Sequence, residues 1–494
     1  MPQTSPHVVV IGAGIGGLAT ALRLAHHGIR TTVLERHSAP GGKMRQVATP
    51  AGPVDAGPTV LTLKSVFDAL FSEVGLRLED VVTFHRQDLL ARHFWHDGTT
   101  LDLMHDPQLS FDNVHAAFGS KSAREFSAFS AKAQRLFETF DAPMMQTPTP
   151  SLAAVARIVA TGPRIVPAMD PLRNFATSLN RQFSEPRLAQ LFARYATYVG
   201  GLPMATPALL GLIWHAESQG VWHVEGGMHQ LALSIAKAAE RKGAEFHYES
   251  HVTRIETQGG TICAIQTEDR RFQVDAVVFN GDPNALATGA LGTDCAMAVS
   301  PTGVAPRSLS AHVMSFAATP SGQPLAAHNV FFAKDPKDEY ASLAKGQNQT
   351  DPTLYICAQD RFGHDPPVGL ERFEIILNSP PLGADIPSQE VKQQCQTRIL
   401  SQLRDYGLTF SPTPDVTTVT GPQDFDQMFP ASTGSLYGRS PHGMMAAFQR
   451  PTARTAMKGL YLTGGGAHPG AGVPMAVLSA QHAAAAILSD LPLT

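Results

Sequence analysis

The run Gly12-Ala13-Gly14-Ile15-Gly16-Gly17 fits the pattern G-x-G-x-x-G and is answered by an acidic residue, Glu35. Residues of these types at this spacing suit a dinucleotide. Gly12 permits a tight turn, Gly14 lets a pyrophosphate approach the backbone, and Gly17 lets a helix and a strand pack closely. Ile15 and Gly16 open that helix, whose N-terminus attracts phosphates. Glu35, read as closing its strand at the surface of the sheet, is placed to accept hydrogen bonds from ribose hydroxyls. The pattern carries weight only in the right setting, between a strand and a helix with a second strand before the acid.

That setting is legible. Val8-Val9-Val10-Ile11 and Thr31-Thr32-Val33-Leu34-Glu35 are short apolar runs of the kind buried in parallel sheets, and Leu18 to His27 has helical apolar spacing that stops at Gly28. From about Ser65 to Gln219 the pattern is mostly helical, with proline joints at Pro148, Pro150, Pro163 and Pro171. His229 to Arg241 reads as an amphipathic helix. Strand-like segments follow at Glu245 to Tyr248, Val252 to Glu256, Ile262 to Thr267 and Ala276 to Phe279. Residues 308 to 378 alternate like sheet strands, and Leu460 to Thr463 leads into a glycine-rich loop and an alanine-rich helix.

The composition fits a multidomain globular chain. It has 494 residues, 43% of them hydrophobic and 16% charged, which is enough apolar material for two or three packed units. A formal charge of -4 offers no basic face for nucleic acid. Cys263, Cys295, Cys357 and Cys395 form no C-x-x-C, and no H-E-x-x-H occurs, so neither a disulfide framework nor a metal site is expected. The N-terminus lacks the features of a signal peptide, so a cytoplasmic location is expected. No apolar run reaches the roughly 20 residues needed to span a bilayer.

Beyond the glycine motif, several blocks resemble one flavoprotein family. Arg36, Pro40-Gly41-Gly42-Lys43-Met44-Arg45, Val54-Asp55-Ala56-Gly57-Pro58-Thr59, Asn280-Gly281-Asp282-Pro283 and Gly459 to Met475 look like the amine oxidases and carotenoid desaturases. The closing block, with Gly464, Gly465, Gly472, Val473, Pro474 and Met475, resembles the flavin motif of bacterial carotenoid desaturases of the phytoene desaturase type. Leu89 to Trp95 and Arg194 to Gly201 are similar to the branch that acts on hydroxylated carotenoids, the 1-hydroxycarotenoid 3,4-desaturases of anoxygenic phototrophs. The resemblance implies FAD as cofactor. It also implies an α/β fold: a Rossmann-like FAD-binding domain of the glutathione-reductase and amine-oxidase type, an inserted α+β substrate domain and a helical region. In these terms residues 1–85, 225–290 and 455–494 form a discontinuous FAD domain, 86–224 a mainly helical substrate- and membrane-facing region, and 291–454 the substrate-domain sheet. Along the cofactor path the resemblance implies Arg36, Gly41, Gly42, Lys43, Met44, Arg45, Pro58, Thr59 and Val252. Lys43 stands where an arginine is usual, replacing a planar fork by a point charge, with Arg36 or Arg45 to compensate.

The implied reaction is desaturation of an acyclic carotenoid, with Phe192, Tyr195, Tyr198 and Trp214 as candidate tunnel walls. Glu225 is the candidate proton acceptor or hydroxyl anchor, with His215 and His223 as neighbouring alternatives. The expected partners are an apolar carotenoid, oxygen or a quinone as electron acceptor, and the cytoplasmic face of the inner membrane. That contact falls to the Arg-punctuated stretch Ser151 to Leu179. A cis-trans isomerase, a phytoene desaturase or a non-enzymatic prenyl-lipid binder of the same fold are the alternatives.

Overall fold

The computed structural model of the chain describes residues 5–363, 367–383 and 388–491. Val8, Val9 and Val10 have no exposed surface, because their strand His7–Ile11 is central in a five-stranded sheet. Arg30–Leu34 and then Glu245–His247 lie on one side of it, Ala276–Phe279 and then Leu460–Leu462 on the other, all parallel. The helix Ile15–His26 crosses from the first strand to Arg30–Leu34 and packs against helices Met228–Arg241 and Val473–Asp490. It ends in a Schellman motif. The Ile29 amide reaches the Leu24 carbonyl at 3.1 Å and the Gly28 amide reaches Ala25 at 3.0 Å, with Gly28 at φ 75°.

A second sheet of eight strands is built around Ser310–Gly322, which pairs antiparallel with Glu371–Ser379, Leu408–Ser411 and Val419–Thr420. Leu354–Ala358 and His328–Phe331 extend it. The stretch 86–224, expected to be mainly helical, also contributes two strands, Leu89–Phe94 and Thr100–Met104, that complete this sheet. The join is aromatic: Phe94 lies opposite Phe331 in the register and the rings stack at 4.4 Å. A small antiparallel sheet, Val252–Gln258, Thr261–Thr267 and Arg271–Gln273, lies in a loop of the parallel domain.

Helices then cover the second sheet. Pro107–Phe140 is capped by Asp106 and kinks at Gly119, whose φ of 84° and ψ of 170° leave the helical region. It packs on Pro186–Ala193 and Ile213–Ser218 through Phe126, Phe129, Phe192 and Trp214. Among the described residues all four cysteines are free.

Gly17 holds the first helix onto its strand. A Cβ there would stand 2.1 Å from the Gly12 carbonyl oxygen. Gly17→Ala is therefore expected to lower the stability of the ligand-free protein by at least ~1–3 kcal/mol. The readout is a lower denaturant midpoint at unchanged slope, and an unchanged midpoint would refute the close packing.

Candidate functional site

Three glycine loops meet where the parallel strands end. Gly12, at φ 95°, turns the chain after the first strand, and the Gly12 amide bonds the Leu34 carbonyl at 2.8 Å. The Gly41-Gly42 turn lies against it: the Gly41 amide reaches the Ala13 carbonyl at 2.8 Å, and a Cβ on Gly42 would stand 3.2 Å from the Gly14 Cα. The closing loop comes from the far end of the chain, and a Cβ on Gly16 would stand 2.7 Å from the Gly464 Cα. Asn280 fills the junction. Its Nδ2 donates to the Gly12 carbonyl at 3.1 Å, and its side chain lies within 3 Å of the positions a Cβ would take on Gly14, Gly16, Gly17 and Gly464. The sequence marks the block Asn280 to Pro283 but gives this side chain no role.

A cavity of about 1090 Å³ opens from these loops. Gly12, Gly14, Ile15, Gly16, Glu35, Arg36, Gly41, Gly42, Lys43 and Met44 line it, as do Pro58, Thr59, Val252, Gly464, Gly465, Gly472, Val473, Pro474 and Met475. Pro474 lies in the first turn of its helix, behind Gly472. Two local contacts hold the second block. The Met228 amide donates to Asp55 Oδ2 at 2.6 Å, tying the start of a helix to the loop, and His229 Nδ1 meets the Met44 carbonyl at 2.7 Å.

Glu35 is buried, at 4% exposure, and not at a sheet surface. Its Oε2 accepts from the Ala13 amide at 2.7 Å and its Oε1 from the His37 amide at 2.9 Å, so it also braces the glycine turn. A lone pair remains on each oxygen. Lys43 Nζ donates to the Leu436 carbonyl above the Phe429 ring, and burial pulls its ammonium pKa down to about 8. Arg36 Nη1 is buried on the cavity side with no protein acceptor.

Several expected residues stand elsewhere. Arg45 is turned from the cavity to Thr420, 2.9 Å away, beside buried Glu374. Gly17 is inside the helix contact described above. Glu225 is two-thirds exposed and faces His85 at 3.4 Å, outside the cavity, because its segment turns at Gly226 and Gly227 before the helix begins. It does not line the cavity, contrary to the expectation that it meets a buried substrate there. His215 packs behind Phe137 of the wall and His223 stacks on Phe362, and neither is in the lining. Of the four proposed tunnel aromatics only Tyr198 lines the cavity; Phe192, Tyr195 and Trp214 form the core behind it.

The wall has features the sequence did not suggest. Arg450 Nη1 donates to the carbonyls of Gly465 at 2.8 Å and Tyr437 at 3.1 Å, pinning the closing loop. The Tyr355 hydroxyl sits 2.8 Å from Thr59 Oγ1 and 2.7 Å from His328 Nδ1, and burial depresses the His328 pKa to about 3, so the ring is neutral. Arg194, which opens the Arg194 to Gly201 block, and Glu217, outside any block, line the cavity where its apolar end begins. Phe137, Phe140, Met144, Leu209, Leu212 and Ile213 form that end, where the sequence showed only helical apolar spacing.

The polar end of the cavity fits FAD. The unpartnered Arg36 Nη1 calls for an anion and Glu35 offers acceptors to a ribose. A Cβ on Gly465 would have its nearest neighbour 4.0 Å away, so the backbone there is open to a flat ring. Sheet order, glycine cradle and apolar extension together define an FAD-dependent oxidoreductase. Residues 15–488 match the flavin containing amine oxidoreductases, and the chain belongs to that family. It is 52% identical to a hydroxyneurosporene desaturase of Cereibacter sphaeroides over 492 residues, covering 99% of each chain. A hydroxyneurosporene desaturase of Rhodobacter capsulatus is 48% identical, again over 99% of both. Among solved structures, cyclohexylamine oxidase from Brevibacterium oxydans superposes with a TM-score of 0.58 at 19% identity over 98% of each chain, a likeness of fold.

Two outcomes follow for the cofactor. Lys43 is charged only below its pKa of about 8, so affinity of the FAD-free protein for FAD should fall as pH rises through that value. Titration calorimetry from pH 7 to about pH 9 should show this slope in wild type and none in Lys43→Arg; equal slopes would remove Lys43 from the cofactor's contacts. Glu35→Ala should lose FAD on gel filtration and also drop stability by ~1–3 kcal/mol, because two buried amides lose their acceptor.

Proposed function

We propose that the protein desaturates an acyclic carotenoid carrying a 1-hydroxyl or 1-methoxyl group, such as 1-hydroxyneurosporene, at the 3,4 bond in carotenoid biosynthesis. One observation carries this reading: a single cavity runs without a break from the glycine cradle to an apolar sleeve. The names of the relatives support the same substrate class. When bound, FAD supplies a hydride acceptor. A carbon beside a polyene gives up hydride readily because the charge left behind spreads along the double bonds, and loss of a proton from the adjacent carbon completes the new bond. The chain's own contribution is placement and dryness. Phe137, Phe140, Leu209, Leu212 and Ile213 exclude water from the sleeve, and the Thr59–Tyr355–His328 chain presents neutral polar groups near the cradle.

The electrons pass on to oxygen or to a quinone, and turnover without oxygen, with and without added quinone, tells which. The substrate is delivered from the cytoplasmic membrane face. Leu152–Thr161 is capped by Ser151 and has no buried residue; with Pro163–Met169 it packs Val155, Ile158, Ile165 and Met169 over Phe140, Met144, Leu209 and Leu212, four residues of the sleeve. Leu152 is 54% and Leu172 92% exposed, and Arg157 and Arg164 of the same segment are exposed for lipid headgroups. No single helix among the described residues is long and apolar enough to cross a membrane.

Incubation of the FAD-loaded protein with 1-hydroxyneurosporene should yield a product lighter by two hydrogens that absorbs at longer wavelength. A product of unchanged mass would instead mean isomerisation. Sedimentation with phospholipid vesicles should capture the wild type and release the double variant Leu152→Asp, Leu172→Asp at equal flavin content; wild type that stays wholly in the supernatant would sink the membrane reading.

A further inference from the structure

Between residues 137 and 217 the cavity wall carries two charged side chains, Arg194 and Glu217, among otherwise uncharged residues. Each is only 5% exposed. Arg194 belongs to the turn Arg194–Val199 and Glu217 to the helix Ile213–Ser218, so two separate elements bring them to one place. Arg194 Nη1 donates to the Tyr198 hydroxyl and the guanidinium lies 4.8 Å from the centre of that ring. Glu217 Oε1 accepts from the Tyr195 hydroxyl at 2.7 Å. Nε and Nη2 of Arg194 are buried and have no acceptor in the protein. Buried donors left without partners are costly, and an arginine keeps its charge at any working pH.

We propose that Arg194, supported by Glu217, binds the oxygen at C1 of the substrate and thereby sets which carbon–carbon bond meets the flavin. The proposal rests on the substrate class argued above. Two donors without a protein acceptor suit a ligand that brings one, and a hydrocarbon carotenoid has none. A hydroxyl at C1 accepts from the guanidinium and can also donate to the carboxylate, whereas a methoxyl only accepts. The anchor is rigidly tied to the cofactor loops. A Cβ on Gly200, just past the turn, would stand 2.5 Å from the Tyr437 ring, and Arg450 bonds the carbonyls of both Tyr437 and Gly465. Such a link is needed because C1 and C3 are only two bonds apart, so the group that holds the oxygen has to stand beside the reacting carbon. Arg194 is thus a specificity residue, with Glu217 and Tyr198 positioning it.

The test compares kcat/KM for 1-hydroxyneurosporene and neurosporene in wild type, Arg194→Met, Arg194→Lys and Glu217→Gln. Flavin content and thermal midpoint report folding, and carotenoid binding is read separately from quenching of protein fluorescence. Wild type should prefer the hydroxylated substrate. Arg194→Met should reduce that preference by roughly tenfold or more, mainly through KM. Arg194→Lys, which restores a donor without the fork, should fall between, and it carries the test if the methionine variant does not fold. Preference retained in both Arg194 variants would overturn the anchor and leave the guanidinium a structural group. Equal loss of turnover on both substrates at full flavin content would also overturn it, in favour of a catalytic role. Wild type that turns over both carotenoids equally would defeat the substrate reading itself, a result distinguishable from either of these.

Discussion

Around the Asn280 side chain, backbone from the first and last loops of the parallel domain approaches more closely than a Cβ permits, and the second loop lies tight against the first. Gly16 faces Gly464, Gly42 faces Gly14, and Gly17 sits over the Gly12 carbonyl. These contacts bring residues more than 400 positions apart within one van der Waals layer. One amide side chain then closes the gap that the missing side chains leave. Loop positions, helix directions and the mouth of the cavity all depend on this meeting point, since each loop starts from a strand end held in the same sheet.

From there the cavity changes character along its length. Near the glycines it is bordered by Glu35, Arg36, Lys43 and Arg450, groups suited to a ribose and a pyrophosphate; farther out it is bordered by Phe137, Phe140, Leu209, Leu212 and Ile213. The two ends come from different parts of the chain. The parallel domain builds the first, and helices laid over the antiparallel sheet build the second. One continuous cavity thereby offers a polar environment at one end and an apolar one at the other. Charges in the second half are few, and each buried one acts at low dielectric, where its partners matter more.

The cofactor half was readable because backbone geometry demands particular residues. A turn at positive φ or a backbone contact under 3 Å leaves little choice but glycine, so Gly12, Gly16, Gly42 and Gly464 announce themselves in the sequence. The substrate half imposes no such demand. Any apolar residue of suitable size serves a core or a sleeve, so Phe192 and Trp214 were indistinguishable in sequence from Phe137 and Phe140. Glu225 attracted notice through its neighbours Gly226 and Gly227, but a side chain next to a turn is free to point outward, as this one does. Arg194 and Glu217 lie 23 residues apart on separate elements, and only the tertiary fold brings them together. Leu89–Phe94 alternates weakly and depends on pairing with His328–Phe331 for its strand form, a contact too distant in sequence to read.

The strand Leu460–Leu462 sits at the edge of the parallel sheet, and the helix after it packs on the first helix of the chain. During synthesis the N-terminal glycine turn is made long before its partner at Gly464. Until then Val277 and Val278 line an unpaired edge, and the face that the final helix will cover stays open to solvent. The antiparallel sheet and its helices have all their residues by position 450 and are able to form first. The cofactor cradle is therefore incomplete until the segment carrying Leu460–Leu462 and Gly464 has joined the sheet.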